Sequence, residues 1–233
     1  MYRALLVDFY GTLVAEDDAL IARIAETIAA ASGRGASADD VRALWNRHFA
    51  ASCRDSHGER FRTQREIESA SLAEAARDCD ARVDVAALAH ELFAYWAAPT
   101  PLEGAAEFLR EHAGPLCVVS NIDSAELDAA IRGLGWEFEH VVTSEACRAY
   151  KPRAEMFHSA LERLGCEPSQ ALHVGDSLGS DVTGAARLGI DVAWVNPASR
   201  ALPADHEHRP RHTIRSVVEL PALLSSMPRN RLR

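Results

Sequence analysis

Lysine is almost missing from this chain: of its 25 basic residues only Lys151 is a lysine, and the other 24 are arginine. A chain that elsewhere uses arginine keeps its one ammonium in a Tyr150-Lys151-Pro152 turn. A compact point charge on a flexible stem suits a position shared between anionic groups, where a planar guanidinium fits differently. Cysteine is also sparse. Cys53, Cys79, Cys117, Cys147 and Cys166 are scattered, odd in number and form no C-x-x-C pair, which excludes a disulfide framework and a structural zinc site and points to a reducing compartment. Long apolar runs are lacking too: none approaches a membrane span, and no basic segment followed by a signal-type apolar stretch opens the sequence, so a cytoplasmic protein with no membrane partner is expected. Excess positive charge is absent as well. A net charge of -9 excludes general nucleic-acid affinity, which needs surplus Lys and Arg. An anionic small molecule would need a local positive site.

What is present begins with Leu5-Leu6-Val7-Asp8-Phe9-Tyr10-Gly11-Thr12. A short apolar run ending in an acid, a glycine and a hydroxyl reads as a buried parallel strand leaving the core. Asp8 then lies at the carboxyl edge of a sheet, where open parallel sheets bind ligands. Three later segments follow apolar runs in the same way: Val118-Val119-Ser120-Asn121, Tyr150-Lys151-Pro152, and His173-Val174-Gly175-Asp176 with Asp181 five residues on.

With 233 residues, 48% hydrophobic and 25% charged, the chain has room for one core and an insertion. From about 15 to 98 the pattern is helical throughout. Leu20, Ile21, Ile24 and Ile28 share a face; Val41, Leu44, Trp45, His48 and Phe49 form a second behind Ser37 and Asp39. Thr63 with Glu66 signals a capping box, and Asp84 opens a fourth helix through Val85, Leu88, Leu92 and Trp96. After Pro99 and Pro101 strands and helices alternate: a helix at Phe108–Leu109, strand 116–120, a helix capped by Ser124, strand 141–143, a helix ending at Gly165, strand 171–174, a helix from Asp181 to Leu188, strand 192–195, a short strand near Thr213, and a last helix with Ser216 and Glu219 as a capping box. This alternation predicts an α/β fold: a Rossmann-like parallel sheet with helices on both faces, formed by residues 1–14 and 99–227, plus an inserted all-helical cap domain, 15–98. Residues 228–233 are expected to be a disordered basic tail, and His206, His208 and His212 a solvated loop rather than a metal cluster.

In order and spacing the four segments resemble the haloacid dehalogenase superfamily of hydrolases, and the resemblance covers nearly the whole chain. It implies that Asp8 is a nucleophile and that Ser120 and Lys151 are its phosphate and charge partners. Asp8, Asp176, the backbone carbonyl of Tyr10 and Asp181 would then surround Mg²⁺, with Asp181 either a ligand or an orienting group. Gly11, Thr12, Ser120, Asn121 and Lys151 would receive the phosphoryl oxygens. Such chemistry proceeds through an aspartyl-phosphate that is then hydrolysed. Arg47, Arg54, His57 and Arg60 are the candidate contacts from the helical insertion, with the segment Cys53–Arg62 as a contact loop.

Tyr10 departs from the phosphatase pattern, which places a second aspartate there to protonate the leaving oxygen and activate water. Members that cleave carbon–halogen bonds carry tyrosine at this place. Asp176 leans the other way, since an extra carboxylate beside Asp8 calls for a cation. Three readings follow: a Mg²⁺-dependent phosphomonoester hydrolase of a small metabolite, monomeric or homodimeric; a 2-haloacid dehalogenase-like hydrolase with an ester on Asp8; or a non-catalytic phosphate-binding protein. Cleavage of carbon–phosphorus bonds through a Schiff-base lysine is excluded, because residues 15–98 contain no lysine.

Overall fold

The computed structural model describes residues 2–226, so residue 227 and the 228–233 tail lie outside the described residues. Its centre is a sheet of six parallel strands, β1 (Ala4–Val7), β2 (Leu116–Ser120), β3 (His140–Thr143), β4 (Ala171–Gly175), β5 (Asp191–Val195) and β6 (His212–Ile214), in the order β3-β2-β1-β4-β5-β6. Alternation along each strand sends side chains to opposite faces. Leu5, Val7, Val118, Val174, Ala193 and Val195 enter one core, while Leu6, Cys117, Val119, Val192 and Trp194 enter the other. Both faces are therefore covered by helices, as a parallel sheet requires.

The insertion contains four long helices, α1 (Asp18–Ala30), α2 (Ala38–Asp55), α3 (Gln64–Asp78) and α4 (Val85–Ala97). Ser37 and Thr63 close capping boxes with Asp40 and Glu66, and Asp84 accepts from Ala87 N, as the sequence spacing predicts. The chain leaves and re-enters the sheet through paired segments: Ala15 N donates to Thr100 O at 2.8 Å and Leu102 N to Leu13 O at 3.0 Å. Ile24, Trp45, Leu72 and Leu92 of these helices join the same apolar cluster as Leu5 and Val118 of the sheet.

The remaining helices are α5 (Ala105–Glu111), α6 (Ser124–Leu134), α7 (Ser144–Cys147), α8 (Ala154–Leu164), α9 (Thr183–Ala186) and α10 (Leu220–Ser226). Three local expectations change. Ser124 begins α6 rather than capping it; Asp123 precedes the helix and turns its carboxylate instead onto the amides of Gln64 (2.7 Å) and Arg65 (3.0 Å), capping α3 across the molecule. Ser216 makes no capping bond, and Glu219 accepts from Arg215 N at 2.7 Å. The helix expected from Asp181 starts earlier as a wide turn, Leu178–Val182, followed by the short α9. Ser177 Oγ caps it by accepting from Ser180 N, and Thr183 Oγ1 bonds Leu178 O. Wide turns of this kind re-aim one side chain, here Asp181. None of the described helices is long and apolar enough to cross a membrane.

Candidate active site

β1 lies between β2 and β4, so the residues just past these three strands meet at one carboxyl edge. Asp8 follows β1 directly, its amide bonded to Val174 O at 2.9 Å. Ser120 ends β2, and Asp176 follows β4. This is the position at which open parallel sheets hold ligands, beside the point where strand order reverses.

Lys151 enters from the turn before α8. Asn121 holds that turn from β2 with two bonds, accepting from Lys151 N at 2.6 Å and donating to Lys151 O at 3.1 Å. The ammonium donates to Asp8 Oδ1 at 2.6 Å and to Asp181 Oδ1 at 2.7 Å. Asp181 also meets His173 Nε2 at 2.9 Å and accepts from Ser177 N at 3.0 Å. Thr12 Oγ1 donates to Asp8 Oδ2 at 3.2 Å. Gly11 has φ +79°, and a Cβ there would lie 2.7 Å from both the Asp176 carboxyl carbon and Glu16 Oε1; only glycine allows this turn to press so close to the acids.

Charge at the site is unbalanced. Burial works against the Lys151 ammonium, but Asp181 and Asp8 outweigh it and its pKa is raised. Burial likewise opposes ionisation of Asp181, yet Lys151 and His173 hold its carboxyl well below the usual range. Asp8 goes the other way. Burial, reinforced by Asp181 and Asp176 and opposed by Lys151, pushes it up to about 7, and burial with Asp181 pushes Asp176 up to about 6. One ammonium, bonded to Asp8 and Asp181, thus faces three carboxylates, Asp8, Asp176 and Asp181, whose ligand atoms all lie within 4.8 Å of one another. An all-oxygen carboxylate set of this kind fits a hard divalent cation.

Above the sheet edge is a cavity of about 270 Å³. Asp8, Tyr10, Ser120, Asn121, Lys151, Asp176 and Asp181 line its floor, and Ile21, Trp45, Asn46, Phe49, Gln64, Glu68 and Trp96 reach it from the helical insertion. The Tyr10 hydroxyl donates to Trp96 O at 2.5 Å, and burial raises its pKa further. Arg47, Arg54, His57 and Arg60 do not line this cavity. Arg47 is one residue past Asn46 on α2, about 100° further around the helix, and is exposed. The 53–62 segment serves instead as a joint to the sheet half: Arg148 Nε donates to Gly58 O at 2.8 Å, Tyr150 Oη to Arg62 O at 2.9 Å, and Phe61 stacks on Tyr150.

Glu16, Asp17 and Glu68 also line the cavity, and the sequence reading did not select them. Asp17 accepts from Trp96 Nε1 at 2.8 Å. Glu68 is 6% exposed, beside Ile67 in the buried stripe of α3, and burial followed by Asp17 pushes its carboxyl up to about 8. No local signal singles it out, since a helical glutamate ordinarily faces solvent.

Comparison with known proteins fits this geometry. Over 91 residues the chain is 32% identical to N-acylneuraminate-9-phosphatase of Mus musculus, covering 39% of this chain and 36% of that protein. Over 126 residues it is 31% identical to (S)-2-haloacid dehalogenase 2 of Pseudomonas sp. (strain CBS-3), covering 53% and 54%. The chain thus spans about half or less of the length of these curated relatives. Its fold matches the L-2-haloacid dehalogenase of Xanthobacter autotrophicus with a TM-score of 0.75 over 98% of this chain and 100% of that one, at 24% identity. The profile of the haloacid dehalogenase-like hydrolases matches residues 2–189, and with the strand-edge acids and Lys151 in place, the chain belongs to that family of hydrolases.

Proposed function

We propose that the protein is a Mg²⁺-dependent phosphomonoester hydrolase of a small metabolite, with Asp8 as nucleophile and residues 15–98 as a cap over the site. The observation that carries this reading is the Asp8–Asp176–Asp181 cluster, in which Asp8 and Asp181 share the Lys151 ammonium. Mg²⁺ held by Asp8, Asp176 and the Tyr10 carbonyl, with Asp181 as ligand or orienting group, would offset the surplus negative charge and that of the substrate phosphoryl group. Asp8 attacks phosphorus; its Oδ–P bond forms as the ester P–O bond breaks, and water then hydrolyses the acyl phosphate. Ser120, Asn121 and the turn amides at Gly11 and Thr12 orient the phosphoryl oxygens, while Lys151 balances their charge. Tyr10 supplies no acid, so the leaving oxygen takes its proton from water.

The 2-haloacid reading is favoured by Tyr10, because halide leaves without a proton. It is opposed by the cavity walls: a haloacid brings a carboxylate into a space lined by six carboxyl side chains and one lysine already shared between two of them. The five free cysteines agree with work in the cytoplasm.

Beryllium fluoride, which mimics an aspartyl-phosphate, tests the proposal. Binding that requires Mg²⁺ and disappears in Asp8→Asn is expected, and a Mg²⁺-loaded protein that ignores the mimic would overturn the reading.

A further inference from the structure

The cap side of the cavity differs in chemistry from its floor. Trp45, Phe49, Trp96 and Tyr10 give it aromatic walls, and the carboxylates of Glu68 and Asp17 lie among them. Glu68 is 94% buried by its 6% exposure; the Trp45 side chain hydrogen-bonds it, and among the described residues no arginine or lysine pairs with it. Near it the side-chain oxygen of Gln64 is buried without a hydrogen-bond partner. The arginines expected to face this space lie outside it. A buried carboxyl without a counter-ion keeps its proton near neutrality and ionises when a cation arrives with the ligand, and aromatic faces around it attract the same kind of ligand.

We infer that the group esterified to phosphate carries an ammonium: the substrate is a small phosphorylated amino alcohol whose nitrogen is received by Glu68 and Asp17 among Trp45, Phe49 and Trp96. This inference rests on the phosphatase reading and assigns its substrate class. A polyol or a carboxylate-bearing leaving group fits less well, because the first brings no positive charge for Glu68 and Asp17 to pair with and the second adds another acid beside them. An ammonium also answers the missing acid at position 10. When the P–O bond breaks, its electron pair passes to the leaving oxygen, and a nearby positive nitrogen stabilises that charge until water supplies a proton.

The test measures phosphate release with Mg²⁺ from 2-aminoethyl phosphate, its trimethylammonium analogue, propyl phosphate, glycerol phosphate and phosphoglycolate, for the parent and for Glu68→Gln. The parent should favour the two ammonium esters over propyl phosphate in kcat/KM by about tenfold or more, and in Glu68→Gln that ratio should fall towards one. Should Glu68→Gln not fold, Trp45→Leu serves, with the same fall expected. Equal kcat/KM for ammonium and neutral esters, preference for glycerol phosphate or phosphoglycolate, or a ratio unmoved by either variant would overturn the inference while leaving the phosphatase intact. Phosphate release from none of the five, together with no Mg²⁺-dependent binding of beryllium fluoride, would overturn both.

Discussion

Tyr10 ties its hydroxyl to Trp96 O and lines the same cavity as Asp8, and in the proposed phosphatase it donates no proton to the leaving oxygen. Tyr10→Asp should raise phosphate release about 10²-fold or more, within the range typical of general acid–base help, and the gain should vanish with chelator. An unchanged rate in a folded variant would mean that proton transfer to the leaving oxygen is not what limits turnover. Gly11→Ala places a methyl group against Asp176 and Glu16 at φ +79°; it should cost about 1–2 kcal/mol in denaturant unfolding and weaken Mg²⁺ binding, and wild-type values for both would contradict the close packing. Asp8, Ser120 and Asp176 were legible because each ends or follows an apolar strand, Lys151 because it is the chain's one lysine, and Asp181 through its spacing after Asp176. Glu68 was not. A glutamate in a helix reads as a solvated face, and only the packing of α3 turns it inward.

At the scale of elements, Asp123 joins the two halves. It forgoes the α6 amides and caps α3, the helix that carries Gln64 and Glu68 into the cavity. Asp123→Ala should lower stability by about 1 kcal/mol, the ordinary worth of an N-cap, and should loosen the 53–64 segment to proteolysis. Unaltered stability and unaltered cleavage would show that the Arg65–Glu126 ion pair, the Phe61–Tyr150 stack and the Arg148–Gly58 and Tyr150–Arg62 bonds hold this joint without Asp123. The helices and strands themselves were readable from apolar spacing, and the Thr63–Glu66 box formed as its spacing demands. Caps that reach across the fold are invisible to local spacing, which points to Ser124 as the cap of α6 and gives no sign that Asp123 caps α3. The wide turn holding Asp181 escapes local spacing for a similar reason, since its register depends on Ser177 Oγ accepting from Ser180 N ahead of it and Thr183 Oγ1 donating back to Leu178 O.

Over the whole molecule the surplus of acids sets the response to pH and metal. Asp8, Asp176 and Glu68, pushed up by burial to about 7, 6 and 8, hold protons in the folded chain that unfolded carboxyls release near ~4. Stability of the metal-free protein therefore falls as pH rises through about 4 to 8. Asp181 runs oppositely: held low by Lys151 and His173, it contributes above the unfolded carboxyl range and is lost only in acid. In chelator, Tm should drop by several degrees between pH 5.5 and 8.5, and Mg²⁺ should raise Tm more at the higher pH; a flat profile without a Mg²⁺ effect would contradict the charge balance. The parallel sheet was legible because βα alternation stops at Val14 and resumes after Pro101, whereas its strand order and the acidic, aromatic lining emerge only when the strands pair and four helices meet over the sheet. The central claim is most directly tested by measuring phosphate release from an aryl phosphate and chloride release from 2-chloropropionate side by side, with Mg²⁺ and with chelator. The account predicts phosphate release that needs Mg²⁺ and no chloride release in either condition; chloride release in chelator with no phosphate release would contradict it.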